Sequence, residues 1–304
     1  MDGAIDAVEQ ATLAYHRGEV RDGTLTDKTA AADPNILQIT LAAHDSVVSG
    51  FQLFAEIYDG PAVPNARFVT LLDPETRALL AIVDYWSLSP VRVGASGGVA
   101  ARYLAPDGAR VAAVLGSAGQ ARGQLWAICR GTPSIERAQV FSPTRANREA
   151  FAQETGDFLG IDVVAVDSAE QAVRGADVVA IANNARGPVL EWEWVKPGAL
   201  LVSISGGRLP AAVITGARAV MTTWEQLASR EPYAAAVKAG TYSREQAAGD
   251  LASVILGQAQ PRQRPEDIVS FELGRMSYWA VATAHWAYQW AVNRGAGTQF
   301  DLSS

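Results

Sequence analysis

Five short apolar runs follow one another through the middle of the chain: ARVAAVLG (109–116), ERAQVFS (136–142), IDVVAVD (161–167), DVVAIAN (177–183) and ALLVSIS (199–205). Each is nearly continuous rather than alternating, the pattern of strands buried on both faces of a parallel sheet. Helical segments separate the first four: QARGQLWAICRG, TRANREAFAQETGDFLG and SAEQAVRGA. Ser168 with Gln171 predicts a capping box at the start of the last. Strands alternating with helices predict βαβ units, and so an α/β fold with a Rossmann-type, doubly wound parallel sheet. Two more helices are expected near 224–238 and 243–256, the second capped by Ser243 with Gln246.

The texture before Pro106 is different. Ile5, Val8, Ala11 and Tyr15 form a helical stripe over 4–17 that stops at Gly18. From Ile36 to Tyr85 the chain is strand-like, and FVTLLDPETRALLAIVDY reads as a hairpin around a DPET turn. RVGASGGVAARYLA (92–105) reads as a small-residue helix packed close to a neighbour. An unusually aromatic helix is expected over 275–293. This organisation predicts a Rossmann domain over 106–270 and a second, discontinuous α/β domain made of 1–105 and 271–304, with the boundary near Leu104–Gly108.

Composition narrows the partners. A net charge of −7 argues against a nucleic-acid footprint or an anionic membrane surface. The single Cys129 excludes an internal disulfide framework and a multi-cysteine metal site, which fits a reducing, cytoplasmic setting. MDGAIDAVEQ lacks the basic and apolar regions of a secretory leader, and no run approaches the roughly 18 apolar residues of a membrane span.

The chemistry starts at VAAVLGSAGQARGQ (111–124). Gly116 permits a tight turn directly after a buried-type strand. A small residue at 118 lets backbone approach a diphosphate, and Ala121 permits close helix–strand packing. Amides of Ser117, Ala118, Gly119 and Gln120, with the helix dipole, then suit phosphates. Ala118 stands where such turns carry a second glycine. The end of the second strand, FSPTRANR, holds no acid before Glu149 to bond the ribose hydroxyls of NAD. Ser142, Thr144, Arg145 and Arg148 suit a 2′-phosphate, so NADP(H) is expected over NAD(H).

The chain resembles the ornithine cyclodeaminase/mu-crystallin family of NAD(P)-dependent proteins. The resemblance rests on VTLLDPETRALLAIVDYWSLSPVRVGASGGVAARYLA, VLGSAGQARGQL, ADVVAIANNARGPVLEWEWVKPGALLVSIS and NRGAGTQFDL, in that order. It implies a Rossmann domain plus an α/β domain that dimerises through its sheet, and hydride transfer at a carbon bearing an amino acid's nitrogen. Arg92 matches the arginine that grips the substrate carboxylate, a task its planar fork suits. Asn183 and Ser205, which close DVVAIAN and ALLVSIS, are assigned to the cofactor as well.

Several positions depart from the family pattern. Arg-Thr-Ala-Ala becomes Arg92-Val93-Gly94-Ala95. Gln52 replaces a lysine, Thr222 an aspartate that meets the substrate amine, and Trp279 a second aspartate. Lys28 is a loose match to an earlier basic residue. Buried ammonium groups need carboxylates, so these losses argue against ornithine cyclisation and for a less polar substrate. His285, His44, Tyr58 and Tyr85 are candidate proton donors. Glu225 is a candidate amine ligand, and Trp279 a pocket wall. The leading expectation is a homodimeric NAD(P)H-dependent imine or ketimine reductase, or an amino-acid dehydrogenase, acting on a small carboxylate-bearing imine or amine without a metal. The second is a weakly catalytic, NADPH-dependent ligand-binding protein of the mu-crystallin type.

Overall fold

A computed structural model describes residues 1–26, 35–44, 47–57, 67–204, 208–274 and 276–300, with backbone alone over 21–26, 35–44 and 52–57. It comprises two compact units, Asp6–Arg92 with Met276–Ser304, and Met1–Ile5 with Val93–Arg275.

After helix α1 (Asp2–His16), five strands run in sequential antiparallel order: β1 (Val20–Thr26), β2 (Asn35–His44), β3 (Val48–Ile57), β4 (Arg67–Leu72) and β5 (Leu79–Asp84). The DPET turn joins the last two. The Asp73 carboxylate fixes it by accepting from the amides of Glu75 at 3.0 Å and Thr76 at 2.7 Å. Helix α2 (Tyr85–Leu104) starts earlier than the expected 92–105. Asp84 caps it, accepting from the Ser87 amide at 2.8 Å, and Pro90 lies inside the helix. The division between units falls within α2, at Arg92/Val93, upstream of Leu104–Gly108. The reason is local. Gly94 and Gly98 present bare backbone to helix α3 (Gly119–Gly131), so closely that a Cβ on Gly94 would overlap the carbonyl of Gly123. The second part of α2 therefore belongs with the parallel sheet.

That sheet takes strands β6 (Val111–Leu115), β7 (Arg137–Phe141), β8 (Asp162–Ala165), β9 (Val178–Ile181), β10 (Leu200–Ser203), β11 (Ala217–Met221) and β12 (Ile268–Glu272). All are parallel, in the order β11-β12-β10-β9-β6-β7-β8. The five apolar runs are β6 to β10. The chain winds outward through β7 and β8, then returns to β9, so the strand order reverses between β6 and β9. Helices α4 (Arg145–Leu159), α5 (Ala169–Val173), α6 (Val213–Gly216), α7 (Trp224–Ala228), α8 (Tyr233–Lys238) and α9 (Leu251–Ile255) complete the unit. One sheet face, with Ala113, Leu115, Val179, Ile181 and Leu201, is sealed by Ala172 and Val173 of α5, Leu227 of α7 and Tyr233 of α8. At the amino-terminal edge, buried Asp177 ties the starts of β6 and β9. Its carboxylate accepts from the amides of Arg110 at 2.8 Å and Val111 at 2.9 Å and pairs with Lys196.

The helices expected over 224–238 and 243–256 are interrupted. Pro232, which cannot continue the first helix, precedes α8. Ser243 and Gln246 do form a capping box, but on a single 3₁₀ turn; Asp250 caps α9 separately. At Ser168 the hydroxyl accepts from the Gln171 amide at 3.1 Å as expected.

The chain then returns as α10 (Ser277–Val292), which packs across the five-stranded sheet. Trp279 is fully buried there, and its indole nitrogen donates to the Thr12 hydroxyl of α1 at 2.9 Å. Tyr278 stacks on Tyr15 at 4.7 Å.

Candidate functional site

The turn after β6 stands at the carboxyl edge of the parallel sheet, where the strand order reverses. Gly116 has φ +133°, and its amide donates to the carbonyl of Phe141 at the end of β7, at 2.9 Å. A Cβ here would overlap the carbonyl of Ala182 after β9, so neither the backbone angle nor the space admits a side chain. Ser117 donates its hydroxyl to that of Ser142 at 2.9 Å, joining the ends of β6 and β7. Asn183 spans the other gap: its amide nitrogen donates to the carbonyl of Leu115 at 3.2 Å, and its oxygen accepts from Ala185 N at 3.0 Å. Three neighbouring strand ends are thus drawn into one cradle.

Helix α3 opens on this cradle. Ala118 is its N-cap, extended and exposed, and makes no side-chain cap. The amides of the first turn, around Gly119 and Gln120, are therefore left without a capping side chain at the positive end of a helix dipole. That is the chemistry of a phosphate site. The methyl of Ala118 lies in the open part of the turn, while the position that tolerates no side chain is Gly116. The residues present fit a dinucleotide diphosphate.

The polar residues after β7 divide into two groups. Arg148 is buried, and its guanidinium donates to the carbonyls of Ser142 at 3.1 Å and Pro143 at 3.4 Å and to Asp167 at 2.6 Å. It holds the β7–α4 loop in shape. Ser142 is also buried, its hydroxyl engaged with Ser117. Arg145 is exposed and paired with Glu149 one helical turn on, at 2.7 Å. Thr144 is the N-cap of α4 without a side-chain cap bond. Arg145 and Thr144 are thus the two whose side chains are not built into the loop. Ser205, Tyr58 and Lys28 lie outside the described residues, as do the side chains of Gln52 and His44.

Arg92 belongs to the other unit. It lies inside α2 rather than opening it. It is 8% exposed, and one terminal nitrogen donates to the Tyr85 hydroxyl at 2.7 Å. Its Nε has no hydrogen-bond partner, and no carboxylate pairs with it among the described residues. A buried guanidinium with this much donor capacity left is suited to an incoming carboxylate. Tyr85, with its hydroxyl turned to Arg92, orients it. His285 of α10 stacks against Tyr288 at 6.5 Å. Trp279, expected as a pocket wall, is a core residue instead, because Thr12 takes its only polar atom.

Thr222 stands at the end of β11, beside β12. Its hydroxyl accepts from the Gly274 amide at 2.9 Å and reaches the Glu272 carbonyl at 3.5 Å, so it binds two strand ends together. Next to it is a group that the sequence pattern did not single out. Glu272 closes β12, buried, in register with Ser203 of β10 and Met221 of β11. Burial pushes its carboxyl up to about 8, against the opposing pull of Arg230, Ser203 and Arg208. The signal available was an acid ending an apolar strand, in IVSFELG. Among the described residues no cluster of metal-ligating side chains occurs, and no helix is long and apolar enough to cross a membrane.

A reversing parallel sheet whose glycine turn feeds an uncapped helix defines the class of dinucleotide-binding α/β proteins. The chain belongs to the ornithine cyclodeaminase/mu-crystallin family, whose sequence model matches residues 59–295. It is 33% identical to the ketimine reductase mu-crystallin of Rattus norvegicus over 168 residues, 55% of this chain and 52% of that one. Among solved structures it is similar to an archaeal alanine dehydrogenase dimer with bound NAD, with a TM-score of 0.86 at 26% identity over 99% of this chain and 95% of that one. It is also similar to the Thermococcus litoralis Δ1-pyrroline-2-carboxylate reductase in complex with NADH and L-proline. There the TM-score is 0.85 at 25% identity, covering 98% and 95% of the two chains.

Proposed function

We propose that the protein is an NAD(P)H-dependent oxidoreductase acting on C–N bonds, an imine or ketimine reductase or an amino-acid dehydrogenase, with NADP(H) preferred and a carboxylate-bearing imine or amine as substrate. The observation that carries the reading is the Gly116 turn, which admits no side chain and leads into a helix start without a side-chain cap. Family membership and the named activities of the relatives support the reaction class. The reductase seen with L-proline supports a substrate whose carboxylate neighbours the reacting C–N bond.

Each residue then has a task. The turn and the first amides of α3 hold the diphosphate, and Asn183 and Ser117 keep three strand ends in place around it. Arg145 and Thr144 receive the 2′-phosphate, and Arg148 shapes their loop from beneath. Arg92, steadied by Tyr85, takes the substrate carboxylate. A bound nicotinamide supplies the hydride that the imine carbon accepts. An imine taken up as its iminium already carries the nitrogen's proton, which removes the need for a strong acid; His285 is the candidate donor where a neutral imine is bound. Ornithine cyclisation is not supported. Trp279 is packed in the core and the Thr222 hydroxyl is committed to backbone, so neither position offers an ammonium group a carboxylate. Exposed Ile82 on the edge strand β5 and Trp86 at the start of α2 support a homodimer. The single Cys129 supports a cytoplasmic setting.

The test is fluorescence titration with NADPH and NADH, followed by a screen of cyclic imines, and of keto acids with amines, for NADPH consumption. Turnover on a carboxylate-bearing imine is the expected result. Tight NADPH binding without turnover on any of them supports the second reading, a mu-crystallin-type ligand-binding protein, which the neutral Gln52 and Thr222 at otherwise charged positions favour.

A further inference from the structure

Glu272 has no task in the scheme above, yet its placement is unusual. A carboxyl at the end of an interior parallel strand lies at the sheet's ligand edge, shared here with Gly116, Ser142 and Asn183. In strand order β12 is three places from β6, about 14 Å at the usual strand spacing. The groups facing the carboxyl come from four elements: the Ser203 hydroxyl on β10, Arg208 ahead of α6, Arg230 between α7 and α8, and Tyr233 of α8. Arg230 donates to the carbonyl of Leu273, the next residue, and Tyr233 is held to Ser270 of the same strand at 3.1 Å. Any change in charge at Glu272 is therefore felt by two guanidinium groups, one of which also holds the end of the same strand.

We propose that Glu272 is a proton-linked positioning residue for the anionic cofactor, taking up a proton as the dinucleotide binds. This rests on the dinucleotide-binding reading. Neutral Glu272 adds no negative charge to the edge. Once ionised, it sets a buried negative charge on the edge that receives a diphosphate and draws Arg208 and Arg230 toward itself. At about 14 Å and an effective dielectric constant of about 20, one pair of like charges weakens binding roughly tenfold. By linkage, a ligand that prefers the protonated form raises that form's population, so binding near the midpoint of the titration absorbs protons. The carboxyl shift toward about 8 puts that midpoint in an accessible range.

The experiment uses the full chain with NADH, whose diphosphate keeps its charge across the range tested. Its affinity is measured by fluorescence from about pH 6.5 to about pH 9.5, and proton uptake by calorimetry in buffers of different ionisation enthalpy. For the unaltered protein the expected result is affinity falling about tenfold across this range, with net proton uptake near the middle. E272Q should bind with an affinity independent of pH and absorb no proton. Unchanged pH dependence in E272Q, or no proton uptake by the unaltered protein, overturns the proposal while leaving dinucleotide binding intact. Absence of NADH and NADPH binding at about pH 6.5, where Glu272 is neutral, overturns the underlying reading itself. Should E272Q fail to fold, proton uptake by the unaltered protein, with the Glu272 carboxyl carbon followed by NMR through the same titration, decides the matter.

Discussion

Arg148 and Asp167 meet at 2.6 Å, with the arginine buried and the aspartate at the surface, and this contact fastens the loop after β7 to the end of β8. Two arginines of one short segment are thereby given different work. R145A is expected to weaken NADPH about tenfold and leave NADH unchanged, the value of one charge-assisted hydrogen bond. R148M is expected to weaken both cofactors together, because it loosens the loop that either must pass. Paired fluorescence titrations of the two variants check this.

G116A removes the only conformation in which the turn can pass Ala182. Positive φ and overlap with a backbone carbonyl act together, so the variant is expected to lose dinucleotide binding and about 2–4 kcal/mol of stability. A118G changes an exposed position and is expected to keep both. Thermal melts with and without NADPH separate the two cases.

R92A is expected to raise KM for a carboxylate substrate about hundredfold while leaving the Kd for NADPH unchanged. R92K should recover only part of the loss, since an ammonium cannot offer the two parallel donors of a guanidinium. Y85F, which removes the hydroxyl that orients Arg92, should give a smaller rise in KM.

Asp177 and Glu272 give stability opposite dependences on pH. Burial pushes the Asp177 carboxyl up, but Lys196 and the amides of Arg110 and Val111 outweigh it and hold the group below the usual carboxylate range. Its contribution is full above the ordinary aspartate pKa and is lost as pH falls through the lower folded value. D177N is expected to cost about 1–3 kcal/mol at neutral pH and to flatten the acid limb of the Tm profile. The Glu272 carboxyl is raised, to about 8, so the stability it confers is full below the ordinary glutamate pKa and is lost as pH rises through about 8. E272Q should therefore melt progressively higher than the unaltered protein as pH rises from about 5 to about 8.

The parallel sheet was legible because each of its first five strands is a short apolar run flanked by turn residues, and the reversal of strand order followed from βαβ winding. The start of α2 was hidden by Pro90. A proline reads as a break, and only the Asp84 cap shows that the helix begins before it. Gly116 was legible as a turn from its place after β6, but the burial of Arg148 was not. In sequence it is one of two arginines near a helix start, and its role depends on Asp167, brought alongside by the next strand. The core partner of Trp279 and the burial of Glu272 were not legible for a related reason: α1 covers one and the α7–α8 layer covers the other, and neither covering element is near in sequence.

Thr12 and Trp279 hydrogen-bond across 267 positions of chain. During synthesis the antiparallel meander leaves the ribosome long before the helix that closes it, while the parallel sheet between them is completed first. The face of the meander that α10 covers therefore stays open until the last helix emerges.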